Sequence, residues 1–242
     1  MTVEQLERLR RAEFTHIELH AALPSFDYAN RSVVRDVVRW FRDNELPSPS
    51  LHLPFEKNVL ASNRFERQSV LDDFKRCLEI NDLLPVRYVV LHLGEPHQEF
   101  SPVAFEYAYA AIATVQSFSG VRVLLETLDN DIATFARIEE FRSAAQLPDV
   151  GICYDTEHGE MDGTCDAIHL KDDHSNLPAL IERLQLLSFT GPMILECADD
   201  RLDKAPECRS RLTDLRDEAA NSIEEFRLKY KLPFPRPEED ER

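Results

Sequence analysis

The chain has 242 residues and carries 45 acidic side chains against 28 Lys and Arg, which gives a formal net charge of −17. Hydrophobic residues make up 43 % of the chain and charged residues 30 %, a composition typical of globular proteins rather than disordered or fibrous ones. A protein with this net charge repels the phosphate backbone of a nucleic acid, and the sequence has no local basic stripe that would offset the repulsion. Both features argue against a nucleic-acid partner. No apolar run approaches the roughly 20 residues that span a bilayer, so no membrane partner is expected.

Two further sequence features restrict the class of protein. The chain has only six glycines and neither a GxGxxG nor a GxxxxGK[ST] motif, so no nucleotide cofactor is expected. The cysteines are odd in number and form no CxxC pair, which predicts reduced thiols and a cytoplasmic location. The five cysteines are Cys77, Cys153, Cys165, Cys197 and Cys208.

Short apolar runs of strand length alternate along the chain with longer segments of helical period. The chain opens on a helix predicted over residues 3–12. The predicted strands cover residues 15–20, 50–54, 87–94, 121–126, 150–155, 167–171 and 192–196. Helices between them are predicted over residues 31–44, 69–84, 103–118 and 131–145, the last with Asn130 or Asp131 as its N-cap.

Strands that alternate with helices form right-handed βαβ units and a parallel sheet. The chain length is close to the roughly 250 residues of a closed eight-stranded barrel, so the predicted fold class is α/β, a (β/α) TIM barrel. Only seven strands are recognisable, and the usual first strand is missing because the chain opens on a helix. We interpret residues 1–230 as a single TIM-barrel domain and residues 231–242 as an extended, Pro-rich acidic tail.

The missing strand predicts an incomplete barrel with a gap between residues 15–20 and 192–196. The strands on either side of such a gap have backbone groups without a neighbouring strand, and an open edge of this kind must be covered. We expect either the Pro-rich tail or a second copy of the chain near the gap. A homo-oligomer is therefore one expectation.

Side chains of the types that bind metals stand near the carboxyl end of every predicted strand. In a parallel barrel these ends converge on the face that holds the active site. Alternation along the fifth and sixth strands places Gly151, Cys153 and Ala167 on the faces shared with the polar tips, as a crowded barrel interior requires. The residues at the tips are Glu18, His20, His52, His92, Glu126, Asp155, His158, His169 and Glu196.

The residue types at the tips favour a divalent metal. Carboxylates and imidazoles that converge repel one another or lose hydration unless a cation or protons compensate them. Carboxylate and imidazole without clustered cysteine suit Mn²⁺, Zn²⁺, Fe²⁺ or Co²⁺ better than a thiolate site would. A lone histidine at a strand end, such as His52, would be interpreted as a hydrogen-bonded structural group. Metal-binding side-chain types recur at all seven strand ends, however, and this recurrence favours a metal site.

The chain resembles the xylose isomerase-like TIM barrel superfamily, which contains sugar isomerases, sugar epimerases and nucleases of the endonuclease IV type. The most specific parts of the resemblance are the DTEH motif at 155–158 and the HLKD motif at 169–172. The other segments contribute through their order. The matching segments lie at 14–20, 51–54, 89–94, 124–126, 151–158, 168–172 and 194–196.

The resemblance implies specific roles for the residues at the tips. It implies a metal bound by Glu126, Asp155, His169 and Glu196, and substrate contacts from His158, Glu18 and His92. In the nuclease branch, residues placed like His52, His92 and His158 bind further zinc ions together with an Asp-x-His element. That makes these three histidines, and His174 in the segment at 172–174, weaker candidates for metal ligands.

The first functional hypothesis is a divalent-metal-dependent isomerase or epimerase of a sugar or a related polyol. A metal that polarises the carbonyl acidifies the neighbouring carbon, Glu126 and Glu196 move the proton, and His158 helps to stabilise the enediolate. His52 and Lys171 are counted among the substrate-binding residues. The alternative for Lys171 is a salt bridge to Asp155 or Glu196.

Two other functions remain open at the level of the sequence. One is an endonuclease IV-like zinc phosphodiesterase, although the loops carry acidic residues where DNA binding needs Lys and Arg. The other is a degenerate, non-catalytic barrel that binds a metal, because the loops after Asp155 and Lys171 are shorter than in typical members of the superfamily.

Overall fold

A computed structural model describes residues 1–23, 25–47, 49–158, 163–171, 177–196 and 204–230. Within these residues seven strands form one sheet, and each strand pairs in parallel with the next one along the chain. The predicted α/β fold with seven parallel strands is thereby confirmed. The strands are β1 Glu18–His20, β2 Ser50–His52, β3 Val89–Leu91, β4 Val123–Glu126, β5 Gly151–Asp155, β6 Ala167–Lys171 and β7 Met193–Glu196.

Helices on the outside of the sheet bury their apolar faces against it, and one follows each strand except β5, after which the described residues contain no helix before β6. Among them, none in the described part of the chain combines the length and apolar character that a membrane-spanning helix requires. A short 3₁₀ helix, Glu79–Asp82, continues the third helix. The α-helices are α1 Val3–Arg11, α2 Arg31–Asp43, α3 Arg64–Leu78, α4 Pro102–Ser119, α5 Phe135–Ala144, α6 Leu177–Leu186 and α7 Ala205–Tyr230.

Two helix starts differ from the predictions, and side-chain capping explains both. α3 begins at Arg64 rather than at residue 69, because the Asn63 side chain accepts a hydrogen bond from the Phe65 N–H and caps the helix earlier. The predicted cap of α5 at Asn130 or Asp131 is wrong. Thr134 caps α5, while the Asn130 side chain accepts from the N–H groups of residues 132 and 133 in a separate turn.

The inside of the barrel is a small apolar cluster, which contains Cys153 and Ala167 as alternation along the strands predicted. It lies below the polar tips and is separate from the larger core between sheet and helices. A Cβ added at Gly151 would lie 2.4 Å from the Leu124 side chain, so a larger residue here would have to displace that side chain. The inner cluster consists of Tyr88, Val90, Leu124, Cys153 and Ala167.

The sheet is an incomplete barrel, as the missing first strand predicted. Its strand order starts at β1 and ends at β7, and no pairing joins these two strands in the residues that the structure describes. Helix α7 lies beside this gap, because it contacts β7 and its Arg209 forms an ion pair of 3.0 Å with Glu13, which precedes β1. The predicted Pro-rich tail, residues 231–242, lies outside the described residues.

Candidate functional site

The carboxyl ends of the strands bring most of the predicted site residues together at the mouth of the barrel. The parallel register places neighbouring tips side by side, with His20 opposite His52 and Asp155 opposite His169. Four tip residues lie two positions beyond a member of the inner cluster, so their side chains point to the barrel axis. They are His92, Glu126, Asp155 and His169. The mouth therefore concentrates carboxylates and imidazoles that the chain keeps far apart in sequence.

Glu126, at the end of β4, is the centre of this arrangement. Its Oε2 atom accepts hydrogen bonds from His52 Nε2 at 2.8 Å and from His92 Nε2 at 2.9 Å, and its Oε1 atom lies 3.0 Å from His169 Nδ1. The side chain is 2 % exposed. Burial alone would raise the pKa of Glu126, but the three imidazoles outweigh it and hold that pKa well below the ordinary value.

His169, at the middle of β6, connects the mouth to a layer beneath it. Its Nδ1 atom faces both Glu126 and Glu196, the latter at 3.2 Å, while its Nε2 atom lies 3.0 Å from Glu18 Oε1 as an ion-pair contact. Burial lowers the pKa of His169, but the buried groups around it, Cys153, Glu126 and Glu18, outweigh burial and raise that pKa well above the ordinary value.

Glu18 lies below the mouth rather than in it. Ser50, its neighbour in the β1–β2 register, donates a hydrogen bond of 2.7 Å to Glu18 Oε2. Burial would raise the pKa of Glu18, yet His169 and this hydroxyl lower it to about 2. The resemblance implied a substrate contact for Glu18, whereas its contacts in the structure are with His169 and Ser50.

Asp155 and His158 form the rim next to Glu126. His158 Nε2 lies 3.3 Å from Asp155 Oδ2, and the His158 side chain is 27 % exposed. Burial raises the pKa of Asp155 to about 6, the Glu157 N–H opposes this, and the charges of Glu126 and Glu196 raise it further. A cavity of about 460 Å³ opens beside His158, a volume suited to a small ligand.

Two groups of side chains at the mouth are close enough to hold a cation, and Glu126 belongs to both. In each group the ligand atoms lie within 4.8 Å of one another. Asp155 belongs to neither group, although it was predicted as a ligand. Nitrogen and carboxylate donors without thiolate fit the borderline divalent metals. The first group is His52, His92 and Glu126, and the second is Glu126, His169 and Glu196.

The imidazoles of the first group add an observation in favour of a cation. In the structure, His52 and His92 both direct their Nε2 atoms at the same carboxylate oxygen of Glu126. Such a contact needs a proton on each nitrogen, whereas a divalent ion among the same atoms would bind both imidazoles in their neutral form. The donor set therefore fits a divalent metal.

Several predicted or missed residues complete the description of the mouth. The backbone of Lys171 ends β6 in register with Glu196, but its side chain lies outside the described residues, as does all of His174. Sequence reasoning assigned no role to Phe55, whose ring lies 4.8 Å from that of His20 and 5.8 Å from that of His92. Phe55 follows Pro54 in a turn, and a turn residue carries no periodic signal that could have revealed it.

The fold is shared with several solved structures, two of which are described as sugar epimerases. An L-ribulose 3-epimerase superposes with a TM-score of 0.73 at 18 % identity, over 92 % of this chain and 91 % of that chain. The 3-keto-D-glucoside 4-epimerase of E. coli gives a TM-score of 0.71 at 17 % identity, over 88 % and 94 %. A Thermus thermophilus protein from crystals soaked with ZnCl₂ gives 0.64 at 19 %, over 89 % and 93 %.

Sequence comparison leads to the same group of proteins. No sequence among the curated proteins matches the chain. The sequence profile described as xylose isomerase-like TIM barrel does match it, over residues 6–172, which include all strands from β1 to β6. With more than half of its length matched by that profile, the chain belongs to the xylose isomerase-like TIM barrel family.

Proposed function

We propose that the protein is a divalent-metal-dependent epimerase or isomerase of a sugar or a related polyol. The observation that carries the proposal is the buried Glu126 carboxylate, which three imidazoles contact at the active-site end of the barrel. A sugar-modifying enzyme of this class must bind a cation and expose a base beside it. The mouth has the residues for both tasks.

The second ligand group is the stronger candidate for the catalytic metal. Glu126, His169 and Glu196 converge there. Asp155 is near enough that, besides its burial, the charges of Glu126 and Glu196 raise its pKa. A bound divalent ion supplies polarisation of a substrate carbonyl, which acidifies the adjacent carbon.

Glu196 is better suited than Glu126 to move a proton. Its side chain is 35 % exposed, whereas that of Glu126 is 2 % exposed and fully engaged with histidines. A general base must reach the substrate, and an exposed carboxylate at the end of β7 meets this condition. His158, at the rim of the cavity, contributes a hydrogen bond to the developing oxyanion.

Turnover by metal-loaded protein tests this proposal. The protein is incubated with Mn²⁺ or Zn²⁺ and with L-ribulose, D-tagatose and 3-keto-glucosides, and epimer formation is followed by chromatography. We expect epimerisation of at least one ketose, lowered roughly 10²- to 10⁴-fold in Glu196→Gln, the usual effect of losing a general base. Asp36→Asn, an exposed change on α2, serves as the control. No turnover of any ketose by metal-loaded protein would contradict the proposal.

A zinc phosphodiesterase is the second candidate, and the group of His52, His92 and Glu126 is the observation that favours it. The resemblance associates histidines in these positions with the additional zinc ions of the nuclease branch. The net charge of −17 opposes approach to a duplex. We therefore expect no binding or incision of abasic-site DNA by zinc-loaded protein, and incision would reverse the order of the two candidates.

A further inference from the structure

A chain of polar contacts leads from the amino end of β1 to the underside of the mouth. His16 Nε2 lies 3.1 Å from Ser50 Oγ, and the Ser50 hydroxyl donates a hydrogen bond of 2.7 Å to Glu18 Oε2. The other carboxylate oxygen, Glu18 Oε1, lies 3.0 Å from His169 Nε2. Ser50 is fully buried and the Glu18 side chain is 8 % exposed. Buried polar groups are costly without partners, so these contacts restrain the side chains that make them.

The single proton of the Ser50 hydroxyl sets the direction of these contacts. Because Ser50 donates that proton to Glu18, its contact with His16 requires a proton on His16 Nε2. An ionised carboxylate only accepts hydrogen bonds, and Ser50 already engages one oxygen of Glu18. The second oxygen, Oε1, is left to accept from the nitrogen beside it, which is His169 Nε2.

The two nitrogens of His169 have different surroundings. Its Nδ1 atom faces Glu126 Oε1 at 3.0 Å and Glu196 Oε1 at 3.2 Å, and these three residues form the second ligand group. Its Nε2 atom is buried and has no hydrogen-bond partner among the described residues, although Glu18 Oε1 is within reach. An imidazole that binds a metal through one nitrogen keeps its proton on the other, where an acceptor fixes the tautomer and the direction of the ring.

Glu18 fits the role of this acceptor better than the role of a ligand. It belongs to neither group of described side chains whose ligand atoms lie within 4.8 Å of one another. Its side chain is also far less exposed than that of Glu196, 8 % against 35 %, so it is poorly placed to reach a substrate. A buried carboxylate is costly to maintain unless its partners compensate it. His169 and Ser50 are the partners that the fold provides.

We propose that Glu18 is a positioning residue that orients His169 towards the metal. Glu18 Oε1 accepts the Nε2 proton of His169, which leaves the lone pair of Nδ1 directed at the group that contains Glu126 and Glu196. Ser50 holds the carboxylate from its other oxygen, and His16 holds Ser50. The inference rests on the proposed metal-dependent function and adds to it a residue that acts on the metal only through His169.

Zinc titration of the full-length protein by calorimetry tests the role of Glu18. Glu18→Met keeps the volume of the side chain and removes both acceptor atoms, so we expect zinc affinity to fall about 10- to 100-fold, the usual effect of losing such an outer partner. Glu18→Gln returns one acceptor oxygen and should recover part of the loss. Asp166→Asn is the matched control, because this carboxylate precedes β6 and contacts Arg122 and the Ile152 N–H instead, and it should bind zinc like the parent.

The position of the ring proton separates positioning from a general effect on the fold. Nitrogen NMR of the zinc-loaded parent should show the His169 proton on Nε2, with slow exchange against water. In Glu18→Met this signal should shift and its exchange should become faster, whereas Asp166→Asn should leave both unchanged. Should Glu18→Met fail to fold, the place of the proton in the parent and its response to Glu18→Gln decide the question.

The outcomes distinguish this inference from the proposed function. A parent that binds zinc, with affinity and His169 signal unchanged in Glu18→Met, overturns the role of Glu18 alone. Weaker zinc binding with an unchanged Nε2 signal also overturns it, because the effect would then be structural. A proton on Nδ1 in the zinc-loaded parent overturns it as well. A parent that binds no zinc contradicts the proposed function and this inference with it. Weaker binding together with the altered signal supports the role of Glu18.

Discussion

A single buried carboxylate organises the mouth of the barrel. Removing Glu126 from water is costly, and the contacts with His52, His92 and His169 compensate that cost. The same contacts fix the directions of the three rings before any ligand arrives. Because each ring comes from a different strand or the residue just beyond it, the Glu126 side chain also links β2, β3, β4 and β6 at their functional ends.

The titration of His20 gives a prediction for stability. Its pKa falls from 6.5 to about 4 on folding, so the unfolded chain binds the proton more readily between these values. The contribution is fully present above pH 6.5 and is lost as the pH falls towards 4, by up to about 3 kcal/mol. Urea unfolding of metal-free protein at pH 7 and pH 4.5 should show a smaller loss in His20→Phe than in the parent.

The comparison between the two proteins removes the other titrating groups. The raised pKa of Asp155 acts with the opposite sign, since it favours the folded state as the pH falls towards 4, and it is present in both proteins. Equal losses of stability in the parent and in His20→Phe would contradict a neutral, largely buried His20.

At the level of the elements, alternation along the strands was the most informative part of the sequence. It predicted that Cys153 and Ala167 share the barrel interior, and both lie in the inner cluster. Strand alternation cannot reveal Phe55, which lies in a turn, nor the contact of Ser50 with Glu18, which depends on the register between two strands. The sequence also could not fix the start of α5, because Asn130 and Thr134 are equally good N-cap residues. In the structure the Asn130 side chain donates a hydrogen bond to the Leu93 carbonyl, and Thr134 caps the helix.

The edge strands β1 and β7 should exchange their backbone hydrogens unevenly. Hydrogen bonds to β2 are made by the backbone groups of Ile17 and Ala21, so alternation turns the N–H groups of Glu18 and His20 towards the gap. We expect these two amides to exchange faster than those of β4, Val123–Glu126, which has partners on both sides. Hydrogen exchange resolved by NMR measures the difference.

Two controls make this test specific to the gap. The amide of Leu19 lies on the same strand but on the side of β2, and it should be protected like the amides of β4. Protection of Glu18 and His20 equal to that of Leu19 would mean that the gap closes or is covered by another part of the chain or a second copy.

For the molecule as a whole, the incomplete barrel still brings the candidate metal ligands together at the carboxyl end of its strands. Seven strands suffice to converge Glu126, His169 and Glu196, because these residues come from β4, β6 and β7, all of which are present in the sheet. The gap falls between β7 and β1, whose last residues are Glu196 and His20. The candidate metal ligands therefore stay together although one of their strands borders the gap.

Zinc binding measured by calorimetry and elemental analysis tests the central claim, a metal site built around Glu126. Glu126 belongs to both ligand groups, so Glu126→Gln should weaken binding by more than about tenfold, a change of about 1.4 kcal/mol, and by more than His92→Ala or Glu196→Gln, which each alter one group. Asp36→Asn should bind like the parent. A parent that binds no divalent metal, or a folded Glu126→Gln protein with the parent's stoichiometry and affinity, would contradict the account.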